Sequence, residues 1–204
     1  MSVASRTAVV LLFGARAVLA QDARLVARLD KPTLTAVNAI VDSARISKLP
    51  TDALVDKALE GAAKGSDGQN IVSAVHQLSA RMGSAKRVLG PATTPDEIKA
   101  AASAMDVGIS VRDLARIRTA CGKQPVTQPL TVLSDLVGRN VPIATATNLV
   151  LQLARSGVKD ADLALFQRNV RADIDRGADP TVAATTRTRG LVQRSDTPVK
   201  PSSE

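Results

Sequence analysis

The chain of 204 residues is 45% hydrophobic and 23% charged but only 1% aromatic, with two Phe and no Trp or Tyr. That balance belongs to a folded chain with enough apolar side chains for a sizeable core, and it argues against an intrinsically disordered polymer. One His and one Cys leave no ligand set for a zinc site and no internal disulfide, while a formal charge of +8 suits acidic partners without specifying one.

The first 21 residues contain no acid. They divide into a short head with Arg6, an apolar run from Ala8 to Phe13 that extends weakly through Ala15, and a Val18-Leu19-Ala20 ending before Gln21-Asp22. This pattern predicts a signal peptide over residues 1–20 and a periplasmic or secreted mature protein, although Arg16 interrupts the grammar. An acid-poor leader also fits a mitochondrial presequence or an ordinary first helix. No other segment has the ~18 uninterrupted apolar residues needed to span a bilayer.

From Asp30 onward apolar residues recur every three or four positions, and the alternation of a strand is absent, so the expected class is all-α. Ile71, Val75, Leu78, Met82, Ala85 and Leu89 mark the clearest stripe. Shorter stripes are Leu34, Val37, Val41, Ala44; Leu114, Ile117, Cys121; Leu130, Leu133, Val137; and Leu163, Phe166, Val170, Ile174. Ala146 to Ala154 is apolar almost all round and is expected near the centre. Thr94-Pro95-Asp96-Glu97 is a capping box with Pro at the first helical position. Further starts are signalled at Thr51-Asp52, Ser110 with Asp113, and Asp179-Pro180, and stops at Gly65, Gly90-Pro91, Gly157, Gly177 and Gly190. About nine helices result, over 31–47, 51–64, 69–89, 95–106, 110–121, 127–138, 142–156, 160–176 and 180–189.

Five junctions resemble one another: 47–55, 107–115, 139–147, 156–164 and 176–184. A stop residue (Gly108, Asn140, Gly157 or Gly177, with Lys48 the exception) precedes an apolar one (Leu49, Ile109, Val141, Val158 or Ala178). A left-handed residue closes one helix and the apolar residue folds back onto its last turn. From Asn140 to Gly177 a two-helix unit spans about 37 residues, within the range of helical-hairpin repeats. The expected architecture is a stack of antiparallel helix pairs, α-solenoid-like, with an irregular helical bundle as the alternative. The signature aromatic positions of tetratricopeptide repeats and the Thr-Pro-Leu-His of ankyrin repeats are missing. The all-helical domain is expected over 21–190, followed by a disordered polar tail over 191–204.

The chemistry-bearing residues point away from catalysis. Cys121 continues an apolar stripe and is read as core. His76 lies off the stripe of its helix and is read as a surface residue. Asp173, Asp175 and Asp179 alternate like calcium ligands, but Ala178 and Ala184 stand where a calcium loop needs Gly and Glu, so the segment reads as a C-cap followed by an N-cap. Gly61 to Ser66 has Gly, Lys and Ser in the wrong order for a phosphate loop. Glu97 belongs to its capping box, and no sugar platform exists beyond Phe166, which leaves a two-carboxylate hydrolase a distant reading. Three basic clusters, Arg81/Lys86/Arg87, Arg116/Arg118/Lys123 and Arg187/Arg189/Arg194, could align into a phosphate-binding stripe or serve as solvated helix ends. The expectation is a non-catalytic exported helical scaffold that binds a protein or peptide, without cofactor, metal or catalytic residues. The alternative is a cytoplasmic basic protein that binds nucleic acid through phosphates.

Overall fold

The computed structural model describes residues 22–195, so the leader over 1–20 and the tail beyond Ser195 lie outside the described residues. Ten α-helices and no strand occur among them: α1 (Ala23–Val26), α2 (Lys31–Ile46), α3 (Thr51–Ala63), α4 (Gly68–Leu89), α5 (Pro95–Asp106), α6 (Val111–Cys121), α7 (Thr127–Gly138), α8 (Ile143–Arg155), α9 (Asp160–Asp175) and α10 (Pro180–Ser195). The all-α expectation holds, with one short helix more than the periodicity predicts. Asp22 explains the addition: its carboxylate accepts from the Arg24 N–H at 2.9 Å and caps α1, whose Leu25 is fully buried.

Local chemistry sets most helix ends. The Thr94 box is complete, with the Glu97 N–H donating to Thr94 Oγ1 at 3.2 Å and Glu97 Oε2 accepting from the Thr94 N–H at 3.0 Å. Ser110 accepts from the Asp113 N–H, and Asp179 accepts from the Val182 N–H. Asp67 caps α4 by accepting from the Asn70 N–H at 2.8 Å, a start the sequence reading placed one residue later. At α3 the N-cap is Pro50, and Thr51, read as a start signal, is the first helical residue with no side-chain cap bond.

All five look-alike junctions share one backbone geometry. In each, the apolar residue donates its N–H back across the helix end: Leu49 to Ala44, Ile109 to Ala104, Val141 to Leu136, Val158 to Leu153 and Ala178 to Asp173, at 2.9–3.4 Å. The preceding residue is left-handed every time, with φ of 53° at Lys48, 96° at Gly108, 67° at Asn140, 66° at Gly157 and 94° at Gly177. Lys48 is therefore no exception. The two reverse hydrogen bonds and the burial of the following apolar residue outweigh the one-residue cost of a Cβ in that region.

The corrections fall at the edges. Gly190 does not stop α10, which continues to Ser195 with Leu191 only 8% exposed; residues 191–195, expected in a disordered tail, are helical, and the rest of that segment lies outside the described residues. A Gly inside a helix costs about 1 kcal/mol relative to Ala, and burying Leu191 offsets it. On α2 Val37, Val41 and Ala44 are buried as the stripe predicts, but in the first turn Thr33 is buried while Leu34 is half-buried.

Packing follows chain order. Every pair of helices with substantial contact lies one or two steps apart. The even helices α2, α4, α6, α8 and α10 touch in succession to form one layer; α5, α7 and α9 form a second, and α3 packs on α4. The described residues thus form an all-α bundle or repeat whose helices pack on near neighbours in the chain. One core cluster runs from Leu25 to Ala102 and another from Ala85 to Leu191, meeting where α4 packs on α5. The aliphatic α8 lies within the larger one, burying Ala146, Thr147, Leu149, Val150, Leu151 and Leu153 as its all-round pattern predicts.

Candidate functional site

A long concavity lies along the seam between α2 and α4. Its first half, about 1040 Å³, is floored by Pro32, Ala36, Ala39 and Ile40 from α2 and by Val72 and His76 from α4. Asp30 and Asp67, which precede the two helices, stand at its end. The second half, about 700 Å³, lies between the end of α2 at Ser47 and Leu49 and the α4 residues Ser79, Ala80, Gly83, Ser84, Lys86 and Arg87. Because the beginning of α2 faces the beginning of α4 and the end faces the end, the helices run in the same direction. Residues 69, 72, 73, 76, 79, 80, 83 and 87 lie on one face of α4, so the two hollows follow one another along the same seam.

Small residues make the groove. Ala36, Ala39, Ser73, Ala80 and Gly83 do not reach across the seam, which stays open to solvent. The helices approach closely at their starts, since a Cβ on Gly68 would lie 2.0 Å from Thr33 Oγ1. At the other end Lys86 Nζ donates to the carbonyls of Ser47 and Lys48 at 2.7 and 3.3 Å, tying α4 to the last turn of α2. Arg87 Nη2 donates to Ser84 Oγ at 2.9 Å. No carboxylate lines this second half. The groove is apolar with acids at one end and polar-basic at the other.

The residues singled out in the sequence distribute differently. His76 is exposed, as expected, and belongs to the apolar half. Cys121 is 8% exposed, and burial pushes its thiol above the ordinary value, so it is poorly suited to act as a nucleophile. Asp173 accepts from Arg187 at 2.7 and 2.9 Å and from Arg176 at 2.5 Å; these hydrogen bonds hold its carboxyl down at about 2 and occupy both oxygens. Asp179 caps α10 as the cap reading has it, whereas Asp173 is held by ion pairs that the sequence reading did not foresee. Gly61 lies inside α3 and Gly65 follows its end, as a helix end and linker.

Several cations of the three basic clusters are engaged within the chain. Arg81 pairs with Asp106 at 2.8 Å, Arg116 with Asp113 at 2.9 Å, and Arg187 with Asp173. Arg118 donates to the carbonyls of Gly122 and Gln124. Glu97 is 7% exposed and its Oε1 accepts from the Val126 N–H at 3.0 Å, fastening the α6–α7 loop to the start of α5. Burial alone would raise its carboxyl, but the Thr94 and Val126 N–H groups, the Thr94 hydroxyl and Arg118 together hold it below the ordinary value.

Among the described residues no group of three His, Cys, Asp or Glu side chains could hold a metal ion. Among them, too, no helix is long and apolar enough to cross a membrane. The sequence reading missed the groove because it followed only the core stripe of α2. A second stripe of Pro32, Ala36, Ala39, Ser43 and Ser47 runs beside it, and its small residues are the available signal. No family model, curated protein or solved structure matches this chain.

Proposed function

We propose that this protein is a non-catalytic helical interaction module whose α2/α4 seam receives a segment of a partner protein. The observation that carries the reading is the groove itself: an open apolar trough of about 1040 Å³ continued by a polar-basic one of about 700 Å³. A groove with a long apolar floor and few fixed polar groups suits the side chains of a docked peptide, and helix-in-groove binding is a common way to fill one. The acid-free leader supports a place outside the cytoplasm, with the chain clipped after Ala20. Against phosphate binding stands the engagement of Arg81, Arg116, Arg118 and Arg187 with acids and carbonyls of the chain.

A photo-crosslinking amino acid placed at Ala39, and separately at the exposed Arg171 of α9, tests the docking reading in living cells. The same defined partner should be trapped from position 39, not from 171, and should be lost when Val72 is replaced by Glu. Equal trapping from both positions would defeat the reading. Intact mass of the exported protein should begin at Gln21; a cytoplasmic chain that keeps residues 1–20 would defeat the location.

A further inference from the structure

Resting on the docking reading, we propose that the occupant of the seam is an amphipathic helix with acidic residues at one end, and that this end lies beside Lys86 and Arg87. The two halves of the groove differ in chemistry along a single axis. Its lining carboxylates, Asp30 and Asp67, stand at the beginning, and its lining cations, Lys86 and Arg87, at the end. Asp67 is committed to the Asn70 N–H at 2.8 Å and the Asn70 amide at 2.6 Å, while Asp30 makes no side-chain cap hydrogen bond, so the beginning of the groove disfavours a partner's acids. The far end does offer something. Lys86 gives two carbonyls its ammonium protons and Arg87 gives Ser84 one N–H, leaving further guanidinium donors for carboxylates.

Shape selects the class of occupant. An acyl chain lying in an open groove would leave one side in water, whereas an amphipathic helix places its apolar stripe on Ala36, Ala39, Ile40 and Val72 and turns a polar face outward. Length agrees, since α4 has 22 residues and thus extends roughly 33 Å. Helix-to-helix approach needs small side chains on the receiving surface, which Ala39, Ala80 and Gly83 supply. Charge then sets direction, because a partner's acids at the wrong end would meet Asp30 and Asp67.

The test is selection of a displayed library of 18-residue peptides, patterned for one apolar helical stripe and randomised at both ends, on the full chain and on its Ala39→Glu and Arg87→Glu variants. Far-UV circular dichroism checks that both variants remain helical. Peptides selected on the unaltered chain should carry Asp or Glu at one end, lose binding to Ala39→Glu, and bind Arg87→Glu roughly tenfold more weakly at low salt. Peptides that depend on Ala39 but show no acidic bias would overturn the charge inference and leave the docking reading standing. Peptides indifferent to Ala39→Glu would overturn both. Flotation with phosphatidylglycerol vesicles that Ala39→Glu abolishes would make the occupant a lipid surface, and a sedimenting dimer dissolved by the same change would make it a second copy; either overturns the proposal.

Discussion

The first and last seams of the even layer are built alike and finished differently. Between α2 and α4 the outer positions are Ala36, Ala39, Ser73 and Gly83, and a groove runs along the seam. Between α8 and α10 they include Gln152, Arg155, Thr185, Arg189 and Gln193, and the remaining hollow is about 490 Å³. Long polar side chains lay their stems over apolar surface, whereas Ala and Ser cannot. The cores follow the same gradient. The cluster around α8 has helices packed on it from several sides, while the one beneath α2 lies at the beginning of the described array. The small residues at the first seam and the longer polar ones at the last thus finish one plan in two ways.

That contrast can be broken most forcefully in the cores. Leu133 and Leu54 are both fully buried, but only Leu133 lies in the larger cluster. Leu133→Ala should cost about 4 kcal/mol and Leu54→Ala about 2.5 kcal/mol, because a site near the end of the array can collapse around the cavity. Urea unfolding of both variants measures the difference, and equal losses would erase the gradient.

An effect between those two is expected where the clusters meet. Glu97→Ala removes acceptors from the Thr94 and Val126 N–H groups and should cost about 3 kcal/mol, since hydrogen bonds to a charged group contribute ~1.5–3 kcal/mol each. Because the folded Glu97 carboxyl lies below its ordinary value, its contribution is complete above about pH 4.5 and is lost as the pH falls from there. Stability measured between pH 3 and pH 6 should therefore rise less steeply with pH in the variant than in the unaltered chain. An unchanged slope would show that Glu97 does not couple the two regions to acid.

The smallest expected effect has the opposite sign. Lys48→Gly should stabilise by about 1 kcal/mol, relieving a Cβ at φ 53°, and Asn140→Gly should gain less because Asn tolerates that region better. Thermal melts of the two variants rank them. A loss at Lys48→Gly would mean that the Lys48 side chain itself supports the first seam.

Much of this architecture was legible in the residues. The Thr94 to Glu97 box, the Ser110 and Asp179 caps and the core stripe of α4 are interactions within one turn or along one helix face, and they formed where the spacing placed them. Gly190 was misread because it was judged by its own preference, whereas Lys48 departs from the other junctions in residue type only. Burial of the next residue, half for Leu49 and nearly complete for Leu191, decided the backbone at both. The candidate site was hidden because the small residues of α2 carry no signal alone and become a groove only when α4 lies alongside.

The order of residues by itself determined that this chain is helical, where most helices start and stop, and which junctions turn through a left-handed residue, because those outcomes depend on neighbours a few positions away. Tertiary structure alone decided that α10 passes through Gly190, that Arg81, Arg118 and Arg187 are engaged with partners far along the chain or at a helix end, and that α2 and α4 lie side by side with an open seam. Those features require surfaces from separate helices to meet, and the free energy of that meeting is written in no single stretch of sequence.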